Sequence, residues 1–175
     1  MTLINEVDIE DYIKGVVPSE MPSGWELEAL KAQAIAARSY ALANLGKRAS
    51  LGYDLKDTPE DQAYGGASAE TSKTNKAVDE TSGLVLTYNY KVVSAFYSAS
   101  AGGQTVTAKE AWGNDVPYIR SVPSFDDNVK KNGHGIGMSQ HGANNLAKQG
   151  YNAYQILNYF YKNVKFARAN GSSIN

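Results

Sequence analysis

Residues 23–46 read SGWELEALKAQAIAARSYALANLG, and this stretch decides the fold. Leu27, Leu30, Ala34, Ala37 and Ala41 recur at steps of three and four, the period of one helix face. Ser23 and Glu26 form an S-x-x-E capping-box pattern, and Gly46 supplies a C-terminal stop. The spacing predicts a long helix ending near Leu45 with a narrow apolar stripe. Because the stripe is mostly alanine, another backbone can approach it closely.

Upstream, Asp8 can cap a first helix in which Ile9, Ile13 and Val16 share a face. Pro18 is expected to end that helix near Val17, leaving Pro18-Ser19-Glu20-Met21-Pro22 as a connector pinned at both ends. Downstream, residues 47–69 read as loop, with Gly52, Pro59, Gly65 and Gly66 as breakers. A helix is predicted from Ser72 to Thr81, stopped by Gly83. Leu84–Tyr88 and Val92–Tyr97 alternate as two strands joined through Asn89-Tyr90-Lys91. Ser98–Gln104 and Gly133–Gly142 are loops of small residues. Helices over Ser139–Lys148 and Ala153–Tyr161 close the chain. The fold class is therefore α+β: a single compact domain over residues 1–166, with packed helices, a small antiparallel sheet and two Gly-rich active-site loops. Residues 167–175 are expected to be a polar, frayed tail.

Composition narrows the function. The 175 residues suit one domain with a real core. A net charge of −1 with 20% charged residues gives no imbalance toward nucleic acid or an anionic membrane. There is no cysteine, which excludes disulfides, thiolate catalysis and Cys-ligated zinc. No apolar run approaches the ~20 residues that span a bilayer. Met1 to Glu6 has neither a basic region nor a long apolar one, so it is not a signal peptide, and the start reads as trimmed from something longer. Twelve tyrosines and two tryptophans are a positive clue. A tyrosine offers a flat face and a polar tip, which suits sugar rings, although most of the twelve are expected in the core or scattered on the surface.

Three segments hold residues able to do chemistry: Glu20 between its prolines, Phe96 to Gln104, and Gly133 to Ala143. A carboxyl on a rigid connector beside Met21 can be lifted in pKa by desolvation, as a general acid requires. On residue type alone, a solvated loop glutamate is the favoured reading of Glu20. Ser98, Ser100, His134 and His141 raise a Ser–His hydrolase, but no G-x-S-x-G surrounds the serines and no third group is marked to orient a histidine. Two histidines without cysteine make a poor metal set. The glycines at 133, 135 and 137 lack the Gly-Lys-Ser/Thr ending of a phosphate loop.

Taken together, the segments resemble a known family. The stretches are Asp11 to Pro22, Leu27 to Leu42, Asp61 to Gly66, Tyr97 to Gly103, Pro117 to Val122 and Gly133 to Gln140. In that order they are similar to the catalytic domain of stage II sporulation protein D, a lytic transglycosylase of endospore formers, and to the related amidase enhancers. The resemblance puts the catalytic glutamate on Glu20. It implies cleavage between N-acetylmuramic acid and N-acetylglucosamine without water, on peptidoglycan strands stripped of stem peptides. It also implies an extracytoplasmic location, in the cell wall or the forespore intermembrane space, and a cell-wall amidase as a partner. The amidase-enhancer side of the family implies the alternative, a non-catalytic wall-binding module.

Two departures from the pattern matter. Some relatives bind zinc around the segment matching Tyr53 to Tyr64; here Lys56, Glu60 and Asp61 stand where ligands would be, so no metal and no cofactor are expected. Longer members also carry a β-rich stretch where this chain has only Ser124 to Asn132. The expected cleft is lined by Glu20 and the two Gly-rich loops. Arg38 and Tyr40 reach it from the long helix, unless Arg38 is a surface residue. Gln62, Tyr97, Ser100, Gln104, His134, Ser139 and Gln140 are the remaining candidates for sugar hydroxyls and acetamido groups.

Overall fold

A computed structural model describes residues 1–169 as six helices around one core, a three-stranded antiparallel sheet and a short parallel strand pair. The long helix, α2 (Leu27–Ala43), is the axis of the domain. Every residue from Ala32 to Ala41 is buried, including Gln33, Arg38 and Ser39. The expected narrow stripe is thus a helix covered on all sides, and its alanines are what let neighbours close in. Helices α1 (Ile9–Glu20), α3 (Ser72–Glu80), α5 (Gln140–Lys148) and α6 (Ala153–Phe160) pack around it with strand β1 (Leu84–Tyr88). Ser39 stitches helix to sheet: its hydroxyl donates to Ile35 O at 2.7 Å and accepts from Leu86 N at 2.9 Å.

Both predicted boundaries around Glu20 shift. Pro18 does not end α1, which runs on through Glu20. The proline removes one late hydrogen bond, to Lys14 O. The turn is nevertheless closed by Met21 N on Val17 O at 2.9 Å and by Ser19 Oγ on Gly15 O at 2.9 Å. Burial of Met21, 1% exposed, anchors it. The Ser23–Glu26 capping box does not form, and α2 begins only at Leu27. Glu26 N instead donates to Asn144 Oδ1 on α5, so a tertiary contact replaces the local cap.

The hairpin turns through Asn89 and Tyr90, both at positive φ (48° and 65°), the signature of a two-residue type I′ turn. Its return strand, β2 (Lys91–Val92), is shorter than predicted. At Ser94 the ladder gives way to side-chain bonds: Ser94 N donates to Tyr118 Oη, and Asn44 Nδ2 donates to Ser94 Oγ. The chain then leaves for β3 (Tyr97–Ser98), which pairs in parallel with β4 (Met138–Ser139). Sequence reasoning also passed over the short helix α4 (Ala108–Trp112). The supposed tail begins with paired residues: β5 (Lys165–Arg168) lies antiparallel to β1, with Ala167 opposite Val85 and Arg168 opposite Leu84. Residues 170–175 of that tail lie outside the described residues.

Candidate functional site

Glu20, the last residue of α1, faces a cleft of about 420 Å³. The two glycine loops meet there because β3 and β4 join them. Tyr97 pairs with Met138 and Ser98 with Ser139. Gly137, at φ 73°, passes so close to Phe96 that a β-carbon would strike its carbonyl oxygen. Gly142, in the first turn of α5, is crowded in the same way by Ser124 O. The close crossing is therefore written into these two glycines.

The Glu20 carboxyl accepts from three sequence-distant segments. Ala63 N donates to Oε1 at 2.9 Å and Tyr97 Oη to the same oxygen at 3.2 Å. Gln140 Nε2 donates to Oε2 at 3.1 Å. Burial lifts the Glu20 carboxyl above its ordinary value, and the three donors only partly oppose the rise. Burial, with the nearby Glu20 charge, also pushes the Tyr97 phenol far up, so its hydroxyl stays a donor. Gln62 is buried behind Tyr97, donating to its oxygen at 3.2 Å and to Ala37 O at 2.9 Å. Gln140 spends its second amide hydrogen on Gln33 Oε1 at 2.9 Å.

His134 lines the cleft half-buried. Its Nδ1 accepts from Ile136 N at 2.9 Å, and burial and then Lys131 hold its pKa below the usual value, so the ring is neutral. Tyr40 reaches the cleft wall, where Lys47 Nζ donates to its oxygen at 3.2 Å. Glu60 and Asp61 also line the cleft, two carboxylates the sequence did not single out for it. Neither is free. Lys47 Nζ lies 2.5 Å from Asp61 Oδ1, and Arg48 Nε and Lys56 N lie 2.8 Å from Oδ2. Burial opposes the Asp61 charge, but these donors outweigh it and hold the carboxyl down at about 2. Glu60 is paired with Lys56 at 2.6 Å. Among the described residues, no three His, Cys, Asp or Glu side chains gather as a metal site.

Five candidates do not line the cleft: Gln62, fully buried behind Tyr97, and four that lie elsewhere. Arg38 does not turn to the cleft. It is fully buried, forked onto Glu10 at 2.8 and 2.9 Å, and donates to Leu84 O at 2.9 Å. Ser100 donates to Lys130 O, and Gln104 is exposed and donates to Ser121 Oγ. Ser139 caps α5 by accepting from Gly142 N and donates to Asp126 Oδ2 at 2.6 Å. These three hold the loops in shape and do not line the cleft. Asp126, which sequence reasoning missed, is the hub. Fully buried, it accepts from Ala101 N at 2.6 Å, Gly103 N at 2.7 Å, Ser124 Oγ and Ser139 Oγ. An aspartate in a polar run carries no sequence mark of such burial.

The chain is 42% identical to an uncharacterized protein of Brachyspira hyodysenteriae over 74% of its own length and 36% of the relative's. It is 48% identical to the amidase enhancer of Bacillus subtilis, over 61% of this chain and 14% of that protein. The chain thus spans little more than a third of one relative and a seventh of the other. Stage II sporulation protein D of Bacillus subtilis is 26% identical across 95% of this chain and 76% of its own length. That alignment, 261 positions, exceeds the 175 residues here, so the sporulation protein carries a portion with no counterpart in this chain. Residues 1–88, half of the chain and including Glu20, match the family described as stage II sporulation protein. The chain belongs to the stage II sporulation protein family.

Proposed function

We infer that this chain acts on the bacterial cell wall as a lytic transglycosylase, outside the cytoplasm, on glycan strands freed of stem peptides. Glu20 is its acid and then its base. The observation that carries the reading is a single carboxyl, lifted in proton affinity by burial, held by three donors on the floor of an open cleft. Protonated Glu20 gives its proton to the glycosidic oxygen as the bond from the muramic acid anomeric carbon breaks. The carboxylate left behind takes the proton from that sugar's own hydroxymethyl oxygen as the oxygen closes on the anomeric carbon. Tyr97, Gln140 and Ala63 N hold the charged form between the two transfers. Hydrolysis by two carboxylates would need a second group free to activate water. Asp61 and Glu60 are tied to Lys47, Arg48 and Lys56, which disfavours them for that role.

The 48% identity to an amidase enhancer supports a second reading, a wall-binding module that assists an amidase without cutting. Mass spectrometry of purified glycan strands after incubation with the chain separates the two. Products ending in an anhydro-muramic acid are expected. Ordinary reducing ends would mean attack by water, and strands bound but uncut would establish the module.

A further inference from the structure

We propose that Trp112 is a stacking platform at the cleft mouth, its indole receiving the C–H face of a pyranose ring of the bound strand. The proposal rests on the reading that the cleft takes glycan. Trp112 lines the same cleft as Glu20, yet 46% of it is exposed. The other tryptophan, Trp25, packs on His141 with ring centres 4.9 Å apart and does not line the cleft. The exposed aromatics Tyr90, Phe125, Tyr151 and Tyr154 do not line it either.

The indole is built into place. Phe96 meets it at 4.8 Å and 71°, and His134 at 5.8 Å and 65°, both as edge contacts. Its helix, α4, has five residues, too few to stand alone. A reciprocal capping box between Thr107 and Glu110 opens the helix, and Gly113, at φ 82°, closes it by donating to Lys109 O. Ala108 is fully buried beneath it. The fold thus fixes a short helix at both ends and leaves a large apolar ring about half exposed at the edge of the cleft. A β-linked N-acetylhexosamine ring carries its substituents around the equator, so its faces present C–H groups. A flat, pre-positioned indole is complementary to such a face and loses little freedom on binding it. Neutral His134 then serves as a brace for the platform.

The test is a titration of the intact chain with purified glycan strands freed of stem peptides, read by calorimetry and by indole emission. Trp112→Ala and Trp112→Leu should each weaken binding by about tenfold or more. Trp112→Phe should keep most of the affinity; Trp112→Ala and Trp112→Leu should melt lower than the wild type because the ring packs on Phe96 and His134, and binding is compared at a temperature where all are folded. The emission change on binding should vanish with Trp112. Equal affinity for wild type and Trp112→Ala overturns the platform while leaving glycan binding intact. Trp112→Leu binding as tightly as Trp112→Phe overturns the stacking, because leucine has apolar bulk but no flat face. A wild type that binds no glycan defeats the parent reading and this proposal together.

Discussion

Glu20→Gln is expected to fold, bind glycan strands freed of stem peptides, and cleave them more slowly by on the order of 10²–10⁴-fold, the usual worth of general acid–base catalysis. The substitution keeps shape but removes the transferable proton. Oε1 can still accept from Ala63 N and Tyr97 Oη. The new amide would face the Gln140 amide, which can turn to present its own oxygen if the Gln33 amide turns with it and donates its Nε2 instead. Stability should hold or rise at neutral pH. The folded-state pKa of Glu20 is raised. Between its unfolded and folded values the native state binds more protons, so stability falls as pH rises through that window. The charged carboxylate is a cost at higher pH, and glutamine removes it. The same shift fixes the sign of the wild-type rate profile: cleavage declines on the alkaline side as the acid form is lost. Thermal melting, calorimetry with glycan and product analysis test the three expectations. A variant that binds and cleaves like the wild type would end the role assigned to Glu20.

Asp126→Ala should cost stability on the order of 3–5 kcal/mol, because it leaves the buried amide of Ala101 and the partly buried amide of Gly103 without acceptors and strips two hydroxyls of their partner. Against a typical total of roughly 5–15 kcal/mol this is a large fraction, and a fall in melting temperature of about 10 °C is expected. The acid dependence has a definite sign. Burial opposes the Asp126 charge, but the hydroxyls and amides outweigh it, and the folded pKa is lowered. Its contribution is fully present above the unfolded value and is lost as pH falls through the lowered one. Asp61 behaves alike, with its folded value at about 2. Melting followed from neutral to strongly acid pH should show the wild type and Asp126→Ala converging. A variant within about 1 kcal/mol of the wild type at neutral pH would show that Asp126 is not the hub of these loops.

What could be read beforehand follows from how local its cause is. The core of α2 was legible because a 3.6-residue period is a property of the stretch itself. Its start was not, since Asn144, far along the chain, supplies what the Ser23–Glu26 pattern was expected to provide. The end of α1 was misplaced because a proline's cost is local while the burial of Met21 that holds the last turn comes from the fold. Glu20, Tyr97, His134 and Gln140 were named through motifs held in order, and they line one cleft. Arg38 was misassigned because its motif position does not distinguish a group aimed at a cleft from one forked onto Glu10. Ala63 contributes a backbone amide, which no side-chain pattern reveals. Asp61 and Asp126 are ordinary letters whose surroundings exist only after folding.

The parallel pairing of Tyr97–Ser98 with Met138–Ser139 bears on the order in which the protein acquires its powers. The donors to Glu20 lie 43, 77 and 120 residues along the chain from it. The contacts of Tyr97 and Gln140 close longer loops than the packing of α1 and α3 on α2 and carry the larger entropic cost of closure. A chain clipped before Gln140 keeps its glutamate and the residues Ala63 and Tyr97 but lacks the third donor and helices α5 and α6. On the reading proposed above, reactivity is complete only once these distant contacts have closed.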